Sequence, residues 1–266
     1  MPTALSFHGV AVAFETPSGA EHTAVTDVTF EIPEGRFTAL VGPSGCGKST
    51  LLNVAAGLAS PSAGEVRVFG DELRGINRHA TYLFQQDALL PWRTVLDNVT
   101  LGLIFQGTPR SEAIDRARFW LDRVGLSAFA DRFPHQLSGG MRKRVAIAQT
   151  WIVDPRIFLM DEPFAALDVQ VRQIMETELL ELWQGSKKTV LFITHDLEEA
   201  IALADEVVVM SAGPGRIKGI YEVPLARPRD VAEIRLNPKF DQLYRQIWAD
   251  LRDEVKQQYE RQRETA

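Results

Sequence analysis

Hydrophobic positions along this chain keep two spacings, alternate residues and every third or fourth residue, and the two take turns from one end to the other. Leu5 to Phe14 and Val25 to Ile32 alternate apolar with polar or small residues, which predicts two antiparallel strands. Thr16-Pro17-Ser18-Gly19 between them has turn composition. Val28, Phe30 and Ile32 share one face. After Pro33-Glu34-Gly35, Phe37 to Val41 is apolar nearly throughout, as in a central strand covered on both faces. A helix is expected over Ser49 to Leu58, then a turn at Pro61-Ser62-Ala63-Gly64 and short strands at Glu65 to Phe69 and Thr81 to Phe84. Helical spacing returns in Thr94 to Leu103 and Ser111 to Val124, where Ile114, Ala117, Leu121 and Val124 recur. A basic helix follows within Leu137 to Gln149.

The second half repeats the alternation. Ile157 to Met160, Thr189 to Ile193 and Glu206 to Met210 read as buried strands. Asp168 to Trp183 reads as a long helix with Val171, Ile174, Leu179 and Leu182 on one side, and Glu198 to Ala204 as a short one. Gly213-Pro214-Gly215 turns into an edge hairpin ending near Val223. Strands alternating with helices imply an α/β fold with a mostly parallel sheet. The pattern adds an N-terminal antiparallel β subdomain and a helical insert at about 86–155. From Ala226 the composition changes to a linker marked by Pro228 and Pro238. Asn237-Pro238 is a cap followed by proline at the first helical position. Phe240, Tyr244, Ile247, Leu251 and Val255 then make an amphipathic C-terminal helix, either packed on the domain or meeting a partner.

Composition narrows the function. Of 266 residues, 45% are hydrophobic and 24% charged, an ordinary globular balance. The net charge of −6 argues against broad nucleic-acid binding. The single cysteine, Cys46, excludes an internal disulfide and fits a reducing, cytoplasmic setting. The N-terminus lacks the basic and apolar regions of a signal peptide, and no apolar run is long enough to span a membrane. A membrane role would therefore pass through a partner.

The sharpest chemistry lies at Gly42-Pro43-Ser44-Gly45-Cys46-Gly47-Lys48-Ser49-Thr50, between a predicted strand and a predicted helix. This is the spacing and context of a phosphate-binding loop, the mark of a P-loop NTPase core. Glycines let the backbone turn its N–H groups onto phosphate oxygens, and the helix N-terminus adds attraction. Lys48 is expected to reach the β- and γ-phosphates, and the Ser49 hydroxyl to ligate Mg²⁺. Cys46, at the helix start, is expected to favour its thiolate. Downstream, Ile157 to Met160 ends in Asp161 and Glu162. Asp161 can hold Mg²⁺ through water, and Glu162 can act as general base toward an attacking water.

Leu137-Ser138-Gly139-Gly140-Met141 resembles the signature motif of ATP-binding cassette (ABC) proteins, with Met141 where glutamine is usual. That resemblance covers about residues 4 to 225 and gives further residues an implied role. Ser138 and Gly140 would contact the γ-phosphate bound by a second copy. Gln85, with Gln86 as the alternative, resembles the Q-loop glutamine that senses Mg²⁺ and water. His195 resembles the switch histidine on the γ-phosphate. Ala165-Ala166-Leu167-Asp168 resembles the D-loop along the dimer contact. Phe14 sits where the family places an aromatic on adenine, although strand aromatics also serve as core.

The resemblance implies an ATP-hydrolysing motor that forms an ATP-sandwich homodimer. One cassette without a membrane span resembles the motor of a bacterial importer, with separate permease subunits and, indirectly, a periplasmic solute-binding protein, working at the cytoplasmic face of the cell membrane. The apolar Leu89-Leu90-Pro91-Trp92 would face the permease or tuck into the core. That run, Met141 and Gly213-Pro214-Gly215-Arg216-Ile217 are similar to the nitrate/sulfonate/taurine importer subfamily, which includes importers of thiamine precursors. The competing class is a soluble ABC ATPase acting on ribosomes or DNA. Those members typically carry tandem cassettes or long coiled-coil insertions, and neither pattern occurs here.

Overall fold

The computed structural model describes residues 2–15, 19 and 21–265, without the side chains of residues 257, 259 and 261–265. The turn expected at Thr16-Pro17-Ser18 lies outside the described residues. In chain order the strands are β1 (Thr3–Glu15), β2 (Glu21–Pro33), β3 (Phe37–Val41), β4 (Ala63–Val68), β5 (Asp71–Glu72), β6 (Ala80–Leu83), β7 (Ile157–Asp161), β8 (Thr189–Thr194), β9 (Glu206–Met210) and β10 (Ile217–Glu222). The helices are α1 (Lys48–Ala56), α2 (Val95–Phe105), α3 (Arg110–Arg123), α4 (Gly139–Trp151), α5 (Val169–Ser186), α6 (Leu197–Leu203) and α7 (Pro238–Thr265).

Two sheets result. One is antiparallel, in the order β2-β1-β4-β5, and the other is six-stranded, in the order β10-β9-β3-β8-β7-β6. Only β10, the edge strand expected from the glycine-proline turn, runs antiparallel to its neighbour in the second sheet. All five residues of β3 are buried, because both faces of that sheet are covered. Leu40, Leu159 and Leu191 face a core shared with α1 and the antiparallel sheet. Ala39, Phe158 and Phe192 face the opposite core, shared with α4, α5 and α6. The alternation along each strand therefore feeds two cores at once.

Register then decides where the chemistry collects. Val41 pairs with Thr194, Asp161 with Ile193, and Leu83 with Met160, all in parallel. Four consecutive strands thus end at one edge, and the loops after them carry the phosphate loop, Glu162, His195 and Gln85. In open α/β sheets the carboxyl ends of parallel strands are where ligands bind.

The helical insert is organised by local capping. Thr94 Oγ1 accepts from the Asp97 amide and starts α2. The buried Asn98 side chain accepts from Leu90 N and donates to the carbonyls of Leu90, Arg93 and Thr94, which pins the apolar loop before the helix. Leu89 is tucked into the core, whereas Trp92 stays 70% exposed. Leu89 thus takes the core position, and Trp92 does not.

Two helical stripes differ from expectation. In α5 the buried residues are Met175, Leu179 and Leu182, with Glu176, Leu180 and Trp183, while Ile174 is exposed. Ile174 precedes that i, i+4, i+7 stripe by one residue, a step of about 100° around the helix. In α7, Phe240, Leu243, Ile247 and Leu251 pack on the domain, but Val255 is exposed. The Asn237 cap is as expected: its Oδ1 accepts from Lys239 N at 2.9 Å. The segment before α7 is anchored by Arg229, buried, whose guanidinium donates to the carbonyls of Ile201, Ala202, Ala204 and Leu225. Three of those carbonyls belong to the C-terminal end of α6, where cations are favoured.

Candidate active site

The phosphate loop turns between β3 and α1 with Gly45 at φ 76° and Gly47 at φ 95°, backbone that side chains rarely adopt. Gly47 is the N-cap of α1 and packs under β2: a Cβ there would lie 2.3 Å from Val25 Cγ1. Lys48 is buried, and its Nζ donates to the Gly42 and Pro43 carbonyls at 2.9 and 3.0 Å. Its charge therefore lies over the concave side of the loop. Ser49 Oγ donates to Asp161 Oδ1 at 3.0 Å, and Tyr82 Oη to Asp161 Oδ2 at 3.2 Å. Burial pushes the Asp161 carboxyl up against the opposing effect of these hydrogen bonds, and the same burial, with Asp161 adjacent, pushes the Tyr82 phenol up.

Glu162 departs from strand geometry with φ 41°, while its N–H still donates to the Ile193 carbonyl at 3.0 Å. A non-glycine residue held at positive φ is a mark of constrained, often functional, backbone. Its Oε2 lies 2.9 Å from His195 Nδ1 across the β7–β8 ends. The acid and the histidine singled out in the sequence thus meet directly.

A cavity of about 330 Å³ joins these parts. Phe14 and His22 line it together with Ser44, Gly45, Gly47 to Thr50 and Glu162. Phe14 is 47% exposed toward this space, so it is not core. His22 belongs to no motif in the sequence. Its place opposite Phe14 in the β1–β2 register puts it here, and only strand pairing reveals that.

Other candidates stand outside this cavity. Ser138 caps α4, its Oγ accepting from Met141 N at 3.3 Å. Asp168 caps α5 in the same way, accepting from Val171 N at 3.0 Å. The two helix starts are close neighbours, since a Cβ on Gly140 would come 2.9 Å from Val171 Cγ1. Leu137 is buried and Met141 packs on the core, leaving Ser138 and its glycines to present the helix start. Gln85 is exposed beyond β6, and its carbonyl accepts from Lys143 Nζ at 3.0 Å. Lys143 also pairs with Asp87, which ties the glutamine segment to α4. A further contact had no local signal: Gln258 Nε2, near the end of α7, donates to the Ser44 carbonyl of the phosphate loop.

Cys46 departs from expectation. It is fully buried, and burial pushes its thiol up; the opposing pull of Lys48 and of backbone amides is smaller. The helix start does not outweigh the loss of water, so the thiolate is disfavoured rather than favoured. Alkylation of the folded chain by iodoacetamide is expected to be at least about 100-fold slower than of the denatured chain, because it must await local opening. Equal rates by mass spectrometry would refute a buried thiol.

Comparison with known proteins agrees with this geometry. The ABC transporter family profile matches residues 25–165. The chain is 49% identical over 238 residues, 90% of its length and 88% of the relative's, to the uncharacterized ABC transporter ATP-binding protein MJ0412 of Methanocaldococcus jannaschii. It is 43% identical over 245 residues, 91% of its length and 94% of the relative's, to the taurine import ATP-binding protein TauB of Rhizobium johnstonii. Among solved structures, the bacterial ABC transporter cassette MJ0796 superposes with a TM-score of 0.74 at 31% identity, covering 84% of this chain and all of that one. MJ0796 has been solved as a dimer and in a post-hydrolysis state bound to ADP and Pi. With a phosphate loop, an acid and a histidine gathered on one sheet edge, this chain belongs to the ABC transporter family and is an ABC ATPase.

Proposed function

We propose that this chain is the ATP-hydrolysing motor of an importer for a small sulfonate or related anion, working through separate permease subunits. The observation that carries the reading is a cavity lined by Phe14, residues of the phosphate loop and Glu162, with Ser138 to Gly140 outside it on the same chain. Phe14 would stack on adenine and Gly42 to Thr50 would cradle the phosphates, with Lys48 on the β- and γ-phosphates. Glu162 is the general base, held by His195, and Gln85 orients water from the far side. The helix start at Ser138 is an anion site without a phosphate of its own, which a second copy would supply. Two copies then enclose two nucleotides, with Asp168 along the contact.

The donor set suits Mg²⁺. Among the described residues no cluster of three or more His, Cys, Asp or Glu could hold a metal unaided. Mg²⁺ characteristically takes one or two protein oxygens and completes its shell with phosphate and water. The Ser49 hydroxyl and Asp161 carboxylate, 3.0 Å apart, are such a pair, with Gln85 as a further oxygen donor. The ion would neutralise charge on the phosphates.

The reading assigns residues 4–225 to the cassette, with the helical insert at about 86–155, and 226–266 to a linker and C-terminal helix. No helix among the described residues is long and apolar enough to cross a membrane. A permease would hold the chain at the cytoplasmic face, with Trp92 and its neighbours against it. Several relatives are named taurine import ATP-binding proteins, which favours sulfonates over thiamine precursors. The test is affinity capture of the tagged chain from detergent-solubilised cells of its own source. An integral membrane permease is expected to co-purify, and taurine with its binding protein to raise ATP turnover of the complex. Capture of ribosomes or DNA without a permease would overturn the importer reading.

A further inference from the structure

Arg172 lies in the first turns of α5, and nucleotide binding gives it no task. Its guanidinium nevertheless spans two functional segments. Nη2 donates to the Leu167 carbonyl at 3.2 Å, and Nη1 meets Asp196 Oδ2 at 3.4 Å. Leu167 belongs to a run of turns that begins at the general base: Ala165 N donates to Glu162 O, and Leu167 N to Phe164 O. Asp196 directly follows His195. Its other oxygen, Oδ1, accepts from the amides of Glu198 and Glu199 and fixes the start of α6. Its own amide donates to Thr194 Oγ1 at 3.0 Å. One planar group therefore joins the chain leaving Glu162 to the chain leaving His195.

The surroundings argue that position, not stability, keeps it there. Arg172 Nε is buried and without a hydrogen-bond partner among the described residues. Behind it lie two buried acids, Glu176 and Glu199, whose carboxyls burial pushes up to about 7 and about 8. A guanidinium with an unpaired buried donor, beside acids that resist ionising, is a poor source of folding free energy. It is, however, a rigid fork that Lys cannot imitate.

We infer that Arg172 is a positioning residue for hydrolysis: by holding the Leu167 carbonyl and the Asp196 carboxylate together, it sets the His195–Glu162 pair beside the phosphate loop. The inference rests on the proposed role of Glu162 as general base.

The test is a kinetic cycle in the 266-residue chain, with Arg172→Ala, Asp196→Asn and the double variant. Asparagine at 196 still offers an acceptor to cap α6, so it removes the ion pair and keeps the cap. Each single variant is expected to lower kcat about 10- to 100-fold, with KM for ATP within about twofold, because the chemical geometry is displaced and the nucleotide contacts are not. The double variant is expected to be no worse than either single one, since both remove the same link. Arg172→Lys is expected to recover part of kcat, keeping the pair with Asp196 and losing the second prong.

Additive losses, an unchanged kcat, or a fall in kcat matched by a fall in folded fraction would each overturn the inference. Should Arg172→Ala not fold, Arg172→Lys and Asp196→Asn carry the same comparison. Glu162→Gln in the same assay separates the two failures. If it is inactive while the Arg172 variants are unimpaired, only the positioning role falls; if it turns over normally, the reading beneath falls too.

Discussion

Replacing Glu162 with glutamine is expected to lower kcat about 100- to 10,000-fold while ATP still binds, the span over which a general base contributes. The substitution keeps size and shape. The Glu162 amide keeps its bond to the Ile193 carbonyl, so the backbone at φ 41° stays where it is. An amide oxygen can still accept from His195 Nδ1, which lies 2.9 Å from the present carboxylate. Only basicity is lost. Phe14 and the loop from Ser44 to Thr50 remain to hold nucleotide, so affinity for ATP should hold within about threefold. The separation of binding from turnover gives a second readout. With hydrolysis stalled, Mg-ATP should shift the variant toward the dimer in light scattering, while ADP should not. A variant that hydrolyses ATP within about tenfold of the parent would remove Glu162 from the base role.

The elements that built this site were legible to different depths. The phosphate loop was readable because its chemistry is local: glycine spacing, an apolar strand before it and a helix after it. Asp161 and Glu162 stood out because a phosphate loop upstream gives two acids at the end of an apolar strand a task. The pairing of Glu162 with His195 was not, since it depends on β7 lying beside β8, and sequence spacing carries no strand order. The place of His22 in the cavity has no local sign for the same reason, since it rests on the β1–β2 register. Cys46 shows a conflict between two opposing effects. Its position at a helix start pointed to a thiolate, and three-dimensional burial pointed the other way and prevailed. Gln258 is 214 residues from Ser44, and nothing near either residue announces their contact. Arg172 belongs to no motif, and its two acceptors come together only where the chain ends after β7 and β8 meet α5. What escaped the sequence is therefore mostly long-range hydrogen bonding between loop ends.

Gly47→Ala is expected to weaken ATP binding at least about 100-fold, the scale of loss that follows a displacement of about 1 Å in a positioned site. It should also cost about 2–5 kcal/mol of stability, from combined backbone strain and overpacking. The backbone at φ 95° penalises any Cβ. The new methyl would also lie 2.3 Å from Val25 Cγ1 and 3.0 Å from the Ala24 carbonyl. Val25 is fully buried and β-branched, so it has few rotamers to escape into, and the carbonyl is backbone. Relief must come from moving the loop, which carries the N–H groups and Lys48 away from where phosphate would sit. Gly70→Ala supplies the control. Gly70 has φ 89° but nothing within 4 Å of a built Cβ, and it lies outside the nucleotide cavity. It should cost about 1–2 kcal/mol for the left-handed backbone alone and leave ATP affinity unchanged. Denaturant unfolding and titration with a fluorescent ATP analogue measure both quantities in both variants. Equal stability losses in the two would mean that Val25 yields freely, and tight nucleotide binding by Gly47→Ala would mean that the loop does not hold phosphate through its backbone.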